Sequence, residues 1–285
     1  MNPEDRRLAH NVAAYNAVAR TYDQQHPEIF NPVEQSRLGA AVRRVLAAVT
    51  PGVAPAGRAA TAYVPHVIDI GTGSGNLTAH FLDAGARVTA ADVSAECLRL
   101  VSEKFGASGR LDTRLLDGRG LGTFADASVD VAACYSVLHH VSDYLALVRE
   151  MARVVRPGGV VYIDHERHDD SWDSAEREQF VAEAVVWPPK RWTRFVKPQN
   201  YWRRIRPLLQ WQRWRNPRWM PEGDLHIWPD DHIEYRRVRA TLAEAGVTDI
   251  ELDDYLLYEA RYQRDVWERW RHRVTDYRML MGRKA

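Results

Sequence analysis

Short apolar runs alternate with segments of helical periodicity between residues 66 and 165. The apolar runs cover 67–70, 86–91, 113–116, 129–135 and 160–163. The segments 77–84, 95–105 and 144–155 between them have helical character. Strands that alternate with helices predict βαβ units and a parallel sheet. Such sheets bind ligands outside the carboxyl ends of their strands, so we expect the functional site there.

The flanking segments extend this pattern. Near the start, apolar residues recur three and four positions apart and line one helix face (Leu8, Val12, Tyr15, Ala19 and Tyr22). Pro32 and Pro51 bracket a second predicted helix over 33–49. Towards the end, 232–245 predicts a helix that stops at Gly246, and the runs 247–252 and 255–262 predict two more strands.

Together these elements predict an α/β, Rossmann-like fold. We expect a seven-stranded, mostly parallel sheet with helices on both faces and a helical cap inserted after the fifth strand. The predicted organisation is an N-terminal helical segment, a linker, the sheet core, the cap and a return to the core, at residues 1–50, 51–65, 66–165, 166–230 and 231–285.

The predicted cap differs in composition from the rest of the chain. Eight of the ten tryptophans lie between 172 and 228, and the span 184–221 carries ten Lys and Arg with no Asp or Glu. That span therefore has a charge of +10, and the remainder has −9. Three interpretations stay open: a substrate lid, a surface for nucleic acid or anionic membrane, and a small packed helical cap. A lid would make Trp187, Arg191, Trp192 and Arg194 substrate-binding candidates.

The remaining composition restricts the class of protein and its expected location. A hydrophobic content of 45% and a charged content of 27% are typical of a globular protein with a core. Cys97 and Cys134 form no CxxC pair, so we expect neither a disulfide framework nor a thiolate metal site. No apolar stretch is long enough to span a membrane, and the polar first residues lack a signal-peptide core. We therefore expect a cytoplasmic protein.

A glycine-rich loop follows the first predicted strand. Gly71, Gly73 and Gly75 stand at alternate positions and lead into a helix, where the backbone can approach a ligand closely. The sixth position of a dinucleotide-binding fingerprint would be Gly, but it is Asn76, which argues against NAD or FAD. Asp92 follows the second strand and is placed to accept both hydroxyls of a ribose.

In order and spacing, these features resemble the class I S-adenosylmethionine-dependent methyltransferases, in the small-molecule branch of that family. The matching motifs are Asp69-x-Gly71-x-Gly73-x-Gly75, Ala91-Asp92-Val93-Ser94, Leu116-Asp117-Gly118, the segment from Tyr135 to His140, and Arg156-Pro157-Gly158-Gly159. The run 118–122 departs from the family because it lacks the usual Leu-Pro after the adenine acid.

The resemblance implies S-adenosylmethionine as the cofactor and assigns residues to it. In that family the glycine loop holds the methionine part, an acid after the second strand holds the ribose, and an acid after the third reads the adenine. An N-terminal helical segment often covers the cofactor. The implied cofactor-binding residues are Tyr22, Asp69, Gly71, Gly73, Gly75, Asp92, Val93, Asp117, Gly118, Tyr135 and Ser136.

Methyl transfer to an oxygen or an acidic carbon can require a base. His139 and His140 follow the fourth strand and His165 follows the fifth, so all three are candidates. His226 and His232 lie near acidic residues, but their spacing fits no metal signature, and no metal is expected.

The predicted function is methyl transfer from S-adenosylmethionine to a small or medium acceptor that is apolar and carries an anionic group. Two alternatives remain open: a methyltransferase that acts on RNA through the basic aromatic segment, and a protein that binds the cofactor without transferring methyl. The expected partner is a small-molecule acceptor, with no firm indication of nucleic acid, no membrane span and no prediction of oligomeric state.

Overall fold

A computed structural model of the chain describes residues 3–51, 63–168, 175–185 and 232–285. The strands are β1 (His66–Ile70), β2 (Arg87–Asp92), β3 (Leu111–Leu115), β4 (Val129–Tyr135), β5 (Val155–His168), β6 (His232–Ile233), β7 (Val247–Tyr255) and β8 (Tyr277–Lys284). They form one sheet in the order β3-β2-β1-β4-β5-β8-β7, with β6 paired to β5 outside this path.

Strands β1 to β5 are parallel, and the two last strands reverse direction. β8 lies antiparallel to β5, and β7 lies antiparallel to β8. The chain order changes direction between β1 and β4, which are parallel neighbours. Their carboxyl ends open a crevice at this switch point, where open α/β sheets bind ligands.

The helices in the described residues are α1 (Pro3–Val18), α2 (Tyr22–Gln25), α3 (Pro32–Ala48), α4 (Asn76–Asp83), α5 (Ala95–Phe105), α6 (Tyr144–Val154), α7 (Ala175–Ala184), α8 (Tyr235–Glu244) and α9 (Arg264–Trp270). Short 3-10 turns occur at Gly106–Ser108 and Leu138–His140. Side-chain caps mark several starts, because Asn31, Ser94 and Asp143 each accept from amides of the first turn of α3, α5 and α6.

Each face of the sheet is covered by helices. Leu38 and Val42 of α3 and Phe81 of α4 pack against one face. Val148 of α6 and Val238 of α8 belong to the cluster on the other. β4, which is buried at every position, separates the two clusters. The Rossmann-like fold with helices on both faces is therefore confirmed.

The sheet has eight strands where seven were expected, because β6 is an additional short strand. β5 continues beyond its last pair with β4, Tyr135 with Asp164, and pairs with β6 at 167–168. The predicted final strand over 255–262 is wrong, because β7 ends at Tyr255 and the final strand is β8.

Residues between β7 and β8 form a further small core with α7. Trp267 and Trp270 of α9 pack with Phe180 and Ala184 of α7. Trp270 donates its indole N–H to Glu183 at 3.0 Å. The two tryptophans that lie outside 172–228, Trp267 and Trp270, are thus core residues. Most of the predicted cap, 166–230, lies outside the described residues, so its helical nature stays a prediction.

Candidate active site

A cavity of about 620 Å³ lies at the carboxyl ends of β1, β2 and β4. Its size is within the range of about 300–1,000 Å³ typical of small-molecule and cofactor sites. The glycine loop after β1 forms part of the wall, and α1 with the turn leading into α3 forms the opposite part. The site therefore lies at the switch point that the fold predicts.

The glycine loop uses the left-handed backbone conformation. Gly71 and Gly73 line the cavity with φ of 67° and 53°. A Cβ at Gly71 would lie 2.6 Å from Val137 Cγ2, whereas one at Gly73 would meet only a carbonyl at 4.0 Å. Gly71 is therefore needed for packing against the β4 turn, and Gly73 leaves backbone accessible to a ligand. Gly75 does not line the cavity. It is the N-cap residue of α4, with φ of 90°.

Asp92 is held rigidly at the end of β2. Its two carboxylate oxygens accept from the amides of Gly73 at 2.9 Å and Ser94 at 2.8 Å. Each oxygen keeps a further lone pair, so the carboxylate can still accept two ligand hydroxyls. Burial raises the pKa of Asp92, and the backbone amides that bind it act in the opposite direction. Asp92 and its neighbour Val93 both line the cavity, where the sequence placed a ribose.

Asp69 anchors the start of the glycine loop. Its Oδ2 accepts from Thr72 Oγ1 at 2.9 Å and Thr78 Oγ1 at 2.6 Å, so it ties the loop to α4. Burial raises the pKa of Asp69 to about 6, against the lowering effect of those two hydroxyls. The residue lines the cavity, but its hydrogen bonds give it a positioning role as well.

The turn after β4 forms the next part of the wall, with Tyr135 and Ser136 in the lining. Ser136 has φ of 60°, a left-handed conformation that is rare for a residue with a side chain. Its N–H donates to the carbonyl of Asp164 at 2.9 Å, which joins the ends of β4 and β5. Such conformations are concentrated at functional sites.

His140 is the predicted base that the structure brings to the cavity. Its Nε2 lies 2.7 Å from the hydroxyl of Tyr15, which also lines the cavity. The two rings meet edge to face at a centroid distance of 5.5 Å. This contact joins α1 to the β4 turn and places a phenol and an imidazole side by side.

The other two histidines lie outside the cavity lining. The Nδ1–H of His139 donates to Glu166 Oε2 at 2.7 Å. His165 stacks between Tyr135 and Tyr277, with centroid distances of 4.6 Å and 4.2 Å. Burial, helped by the nearby Arg37, lowers the pKa of His165 well below its usual value. The structure therefore places neither residue in the cavity wall, and His165 packs between two tyrosine rings.

The sequence assigns Asp117 and Gly118 to the cofactor, but only Gly118 lines the cavity. Gly118 lines the cavity against Leu8 of α1, whose Cδ2 would lie 2.5 Å from an added Cβ. Asp117 is exposed and is not part of the cavity wall, and its Oδ1 accepts from the amide of Arg119 at 2.9 Å. The reason is its position after β3, the edge strand of the sheet, where solvent reaches the strand end.

Other predictions cannot be placed. The substrate-binding candidates Trp187, Arg191, Trp192 and Arg194 all lie outside the described residues, as does the basic span that suggested nucleic acid. Within the described ranges, no group of three His, Cys, Asp or Glu could hold a metal ion. In those same ranges, no helix has the length and apolar character needed to cross a membrane.

The cavity also has lining residues that the sequence interpretation did not assign. Tyr22, which it did assign, lines the wall from α2. The additional residues include Leu8, Asn11, Tyr15, Phe30 and Asn76. Leu8 and Tyr15 belong to the apolar helix face that the sequence pattern identified, so that face was the available signal. Nothing in the pattern distinguished residues that cover a cavity from residues that pack on a neighbouring helix.

The cavity fits S-adenosylmethionine on structural grounds. The space beside Gly73, which a Cβ would occupy, lets a ligand approach the backbone of the glycine loop. Asp92 has free lone pairs that can accept from the ribose hydroxyls. Asn76 Nδ2 is buried without a hydrogen-bond partner among the described residues, although its Oδ1 accepts from Gln35 at 2.9 Å. An amide donor beside the glycine loop suits the carboxylate of an amino acid.

Comparison with known proteins agrees with this geometry. Residues 68–163 match the family model described as a methyltransferase domain. The ubiquinone biosynthesis O-methyltransferase of Idiomarina loihiensis is 32% identical over 140 residues, which are 47% of this chain and 56% of that protein. That of Ralstonia nicotianae is 34% identical over 97 residues, 34% of this chain and 41% of that protein. The chain spans about half the length of such curated relatives.

Solved structures show the same fold at low sequence identity. A chain from the Haloferax volcanii complex of the Trm112 methyltransferase activator with a methyltransferase has a TM-score of 0.55 and 16% identity, covering 94% of this chain and 96% of that one. A Haemonchus contortus phosphoethanolamine N-methyltransferase has a TM-score of 0.53 and 13% identity, covering 94% and 59%.

The parallel sheet, glycine loop and acid after β2 define a nucleotide-cofactor fold of the Rossmann-like class. With the family match, residues 68–163 are a class I S-adenosylmethionine-dependent methyltransferase domain, and S-adenosylmethionine is its cofactor.

Proposed function

We propose that this protein transfers the methyl group of S-adenosylmethionine to a hydroxyl oxygen of a small, apolar acceptor. The observation that carries the proposal is His140, whose imidazole lies in the wall of the cofactor cavity beside the Tyr15 hydroxyl. An imidazole titrates near neutral pH, so it can accept the proton that a hydroxyl loses when it is methylated. The similarity to O-methyltransferases of ubiquinone biosynthesis supports oxygen as the methylated atom.

The chain's own residues bind and orient in this proposal. Asp92 holds the ribose, and the loop at Gly71 and Gly73 approaches the amino-acid part. Bound S-adenosylmethionine supplies an activated methyl group, so the protein's main task is to align donor and acceptor. Tyr15 keeps the imidazole of His140 oriented and covers the cavity from α1.

The apolar nature of the acceptor follows from the wall. Ile29, Phe30, Val137 and Leu147 contribute apolar surface to the cavity, so an acceptor with an apolar body is favoured. An anionic group on the acceptor remains part of the proposal because of the basic span 184–221, which lies outside the described residues.

Methyl-labelled S-adenosylmethionine tests the proposal. The full chain is incubated with the labelled cofactor and a panel of phenols and catechols, with and without a carboxylate, beside matched amines, thiols and RNA. We expect the label on a hydroxyl oxygen, detected by mass spectrometry. Transfer to RNA, with affinity that falls steeply with salt, would support the RNA alternative instead. Cofactor binding by calorimetry without transfer to any compound would contradict methyl transfer.

A further inference from the structure

Glu166 is a fully buried carboxylate outside the cavity wall that binds the turn after β4. It has 0% exposure, and its Oε1 accepts from the amides of Val137 at 2.7 Å and Leu138 at 2.6 Å. Its Oε2 accepts from His139 Nδ1 at 2.7 Å. A buried carboxylate must be compensated by donors, and all three donors here come from one four-residue turn.

The backbone of β5 is shaped to aim this side chain. Along β5, Val160 and Tyr162 face the α3 side of the sheet, and Val161 and Ile163 face the α6 side. Strict alternation would direct Asp164 to the α3 side, His165 to the α6 side and Glu166 back to the α3 side.

The observed directions differ after Asp164. His165 lies on the α3 side, 4.0 Å from Glu34, and Glu166 reaches Leu138 on the α6 side. His165 has φ of 61°, and the register with β8 shifts between Ile163 and Glu166. This irregularity reverses the alternation, as bulges near functional sites often do when they redirect a side chain.

The turn that Glu166 binds contains two residues that line the cavity, Val137 and His140. Val137 fills the space beside Gly71, and His140 lines the cavity against Tyr15. The His139 and His140 rings are adjacent, with centroids 4.1 Å apart. A shift of the turn would therefore move both the support of the glycine loop and the candidate base.

We propose that Glu166, aimed by the left-handed His165, is a positioning residue that holds the 137–140 turn and sets the place of His140 at the reacting side. The part that concerns catalysis rests on the proposed function. Because the carboxylate can only accept, it also holds His139 with a proton on Nδ1. The exchange of this carboxylate for an amide would keep the size of the side chain but place a donor against a donor at His139.

The test compares Glu166→Gln with Asp276→Asn in the full chain. Asp276 is a matched control, because it is a buried carboxylate that accepts from the Leu257 amide at 3.0 Å and does not line the cavity. Three properties are measured: the thermal midpoint, the affinity for S-adenosylhomocysteine, and the histidine ring signals in long-range ¹H–¹⁵N spectra. The His139 signals are assigned by their loss in His139→Asn.

We expect Glu166→Gln to abolish the Nδ1–H signal of His139 and to lower kcat on the acceptor found by the panel by about 10- to 100-fold, the size typical of a lost orienting partner or a misplacement near 1 Å. Affinity for S-adenosylhomocysteine and the acceptor KM should stay within about threefold, since neither requires His140 in its reacting position. Asp276→Asn should leave the His139 signal and kcat unchanged.

An unchanged His139 signal in Glu166→Gln would overturn the proposal. It would also be overturned if Asp276→Asn lost as much kcat as Glu166→Gln for the same loss of stability. The histidine spectra need no acceptor. Failure of the proposed function, with no methyl transfer to any compound, is therefore distinguishable from failure of the positioning role, which the spectra decide alone.

Discussion

Replacement of Asp92 by Ala should weaken cofactor binding more than any other single change in the glycine-loop region. The carboxylate is held by the amides of Gly73 and Ser94, and each oxygen has one lone pair left for a ribose hydroxyl. Hydrogen bonds to charged groups contribute about 1.5–3 kcal/mol each. Two such bonds at the lower value give about 3 kcal/mol, or about a 150-fold rise in Kd.

Titration calorimetry with S-adenosylhomocysteine measures this effect. Asp112→Ala is the matched control, because Asp112 is an exposed carboxylate on the neighbouring strand β3. The control should bind within threefold of the unchanged protein. A circular dichroism melt should show that Asp92→Ala is folded at the temperature of the titration. If the folded Asp92→Ala protein bound as tightly as the control, the assignment of this acid to the ribose would be refuted.

Three further predictions test the site. Asp117→Ala should change the Kd for S-adenosylhomocysteine by less than threefold, because the carboxylate is exposed and outside the cavity wall; a loss above tenfold in calorimetry would restore it as the adenine acid. His140→Ala should lower kcat on the acceptor found by the panel by about 10²- to 10⁴-fold with little change in cofactor affinity; equal losses in kinetics and calorimetry would indicate a structural role. Burial raises the pKa of Asp69 to about 6, above its ordinary value of 3.8, so its contribution to stability is full below pH 3.8 and is lost as pH rises through 6. Relative to the unchanged protein, Asp69→Asn should therefore gain about 2 kcal/mol of unfolding free energy in urea between pH 4.5 and 7.5, and a difference independent of pH would contradict this.

The central strands could be predicted because the sequence shows that they are buried. The runs at 67–70, 129–135 and 160–163 are apolar on both faces, as parallel strands covered by two helical layers must be. β8 was not predicted, since its buried segment Met279–Met281 is short and is flanked by the charged Arg278 and Arg283. Its pairing with β5 and β7 is a tertiary contact that no local pattern reports.

Candidate residues at the ends of strands could be predicted from the sequence. Whether such a residue is buried in the cavity wall or exposed depends on packing and could not be predicted. Asp92 and Asp117 look equivalent in the sequence, since each follows a strand. Only their neighbours in the sheet make one buried and the other exposed. The contacts of Glu166 with the amides of Val137 and Leu138 could not be predicted from the sequence. The bulge that turns it towards His139 is a backbone conformation with no signature in the residue types.

The central claim is that the cavity at the ends of β1, β2 and β4 holds the cofactor with its sulfur towards His140. A crystal structure of the full chain with S-adenosylhomocysteine tests it most directly. We expect the ribose hydroxyls on Asp92, the amino-acid part beside Gly73, and the sulfur facing the turn from Ser136 to His140. A ribose bound away from Asp92, or a sulfur turned away from that turn, would contradict the account.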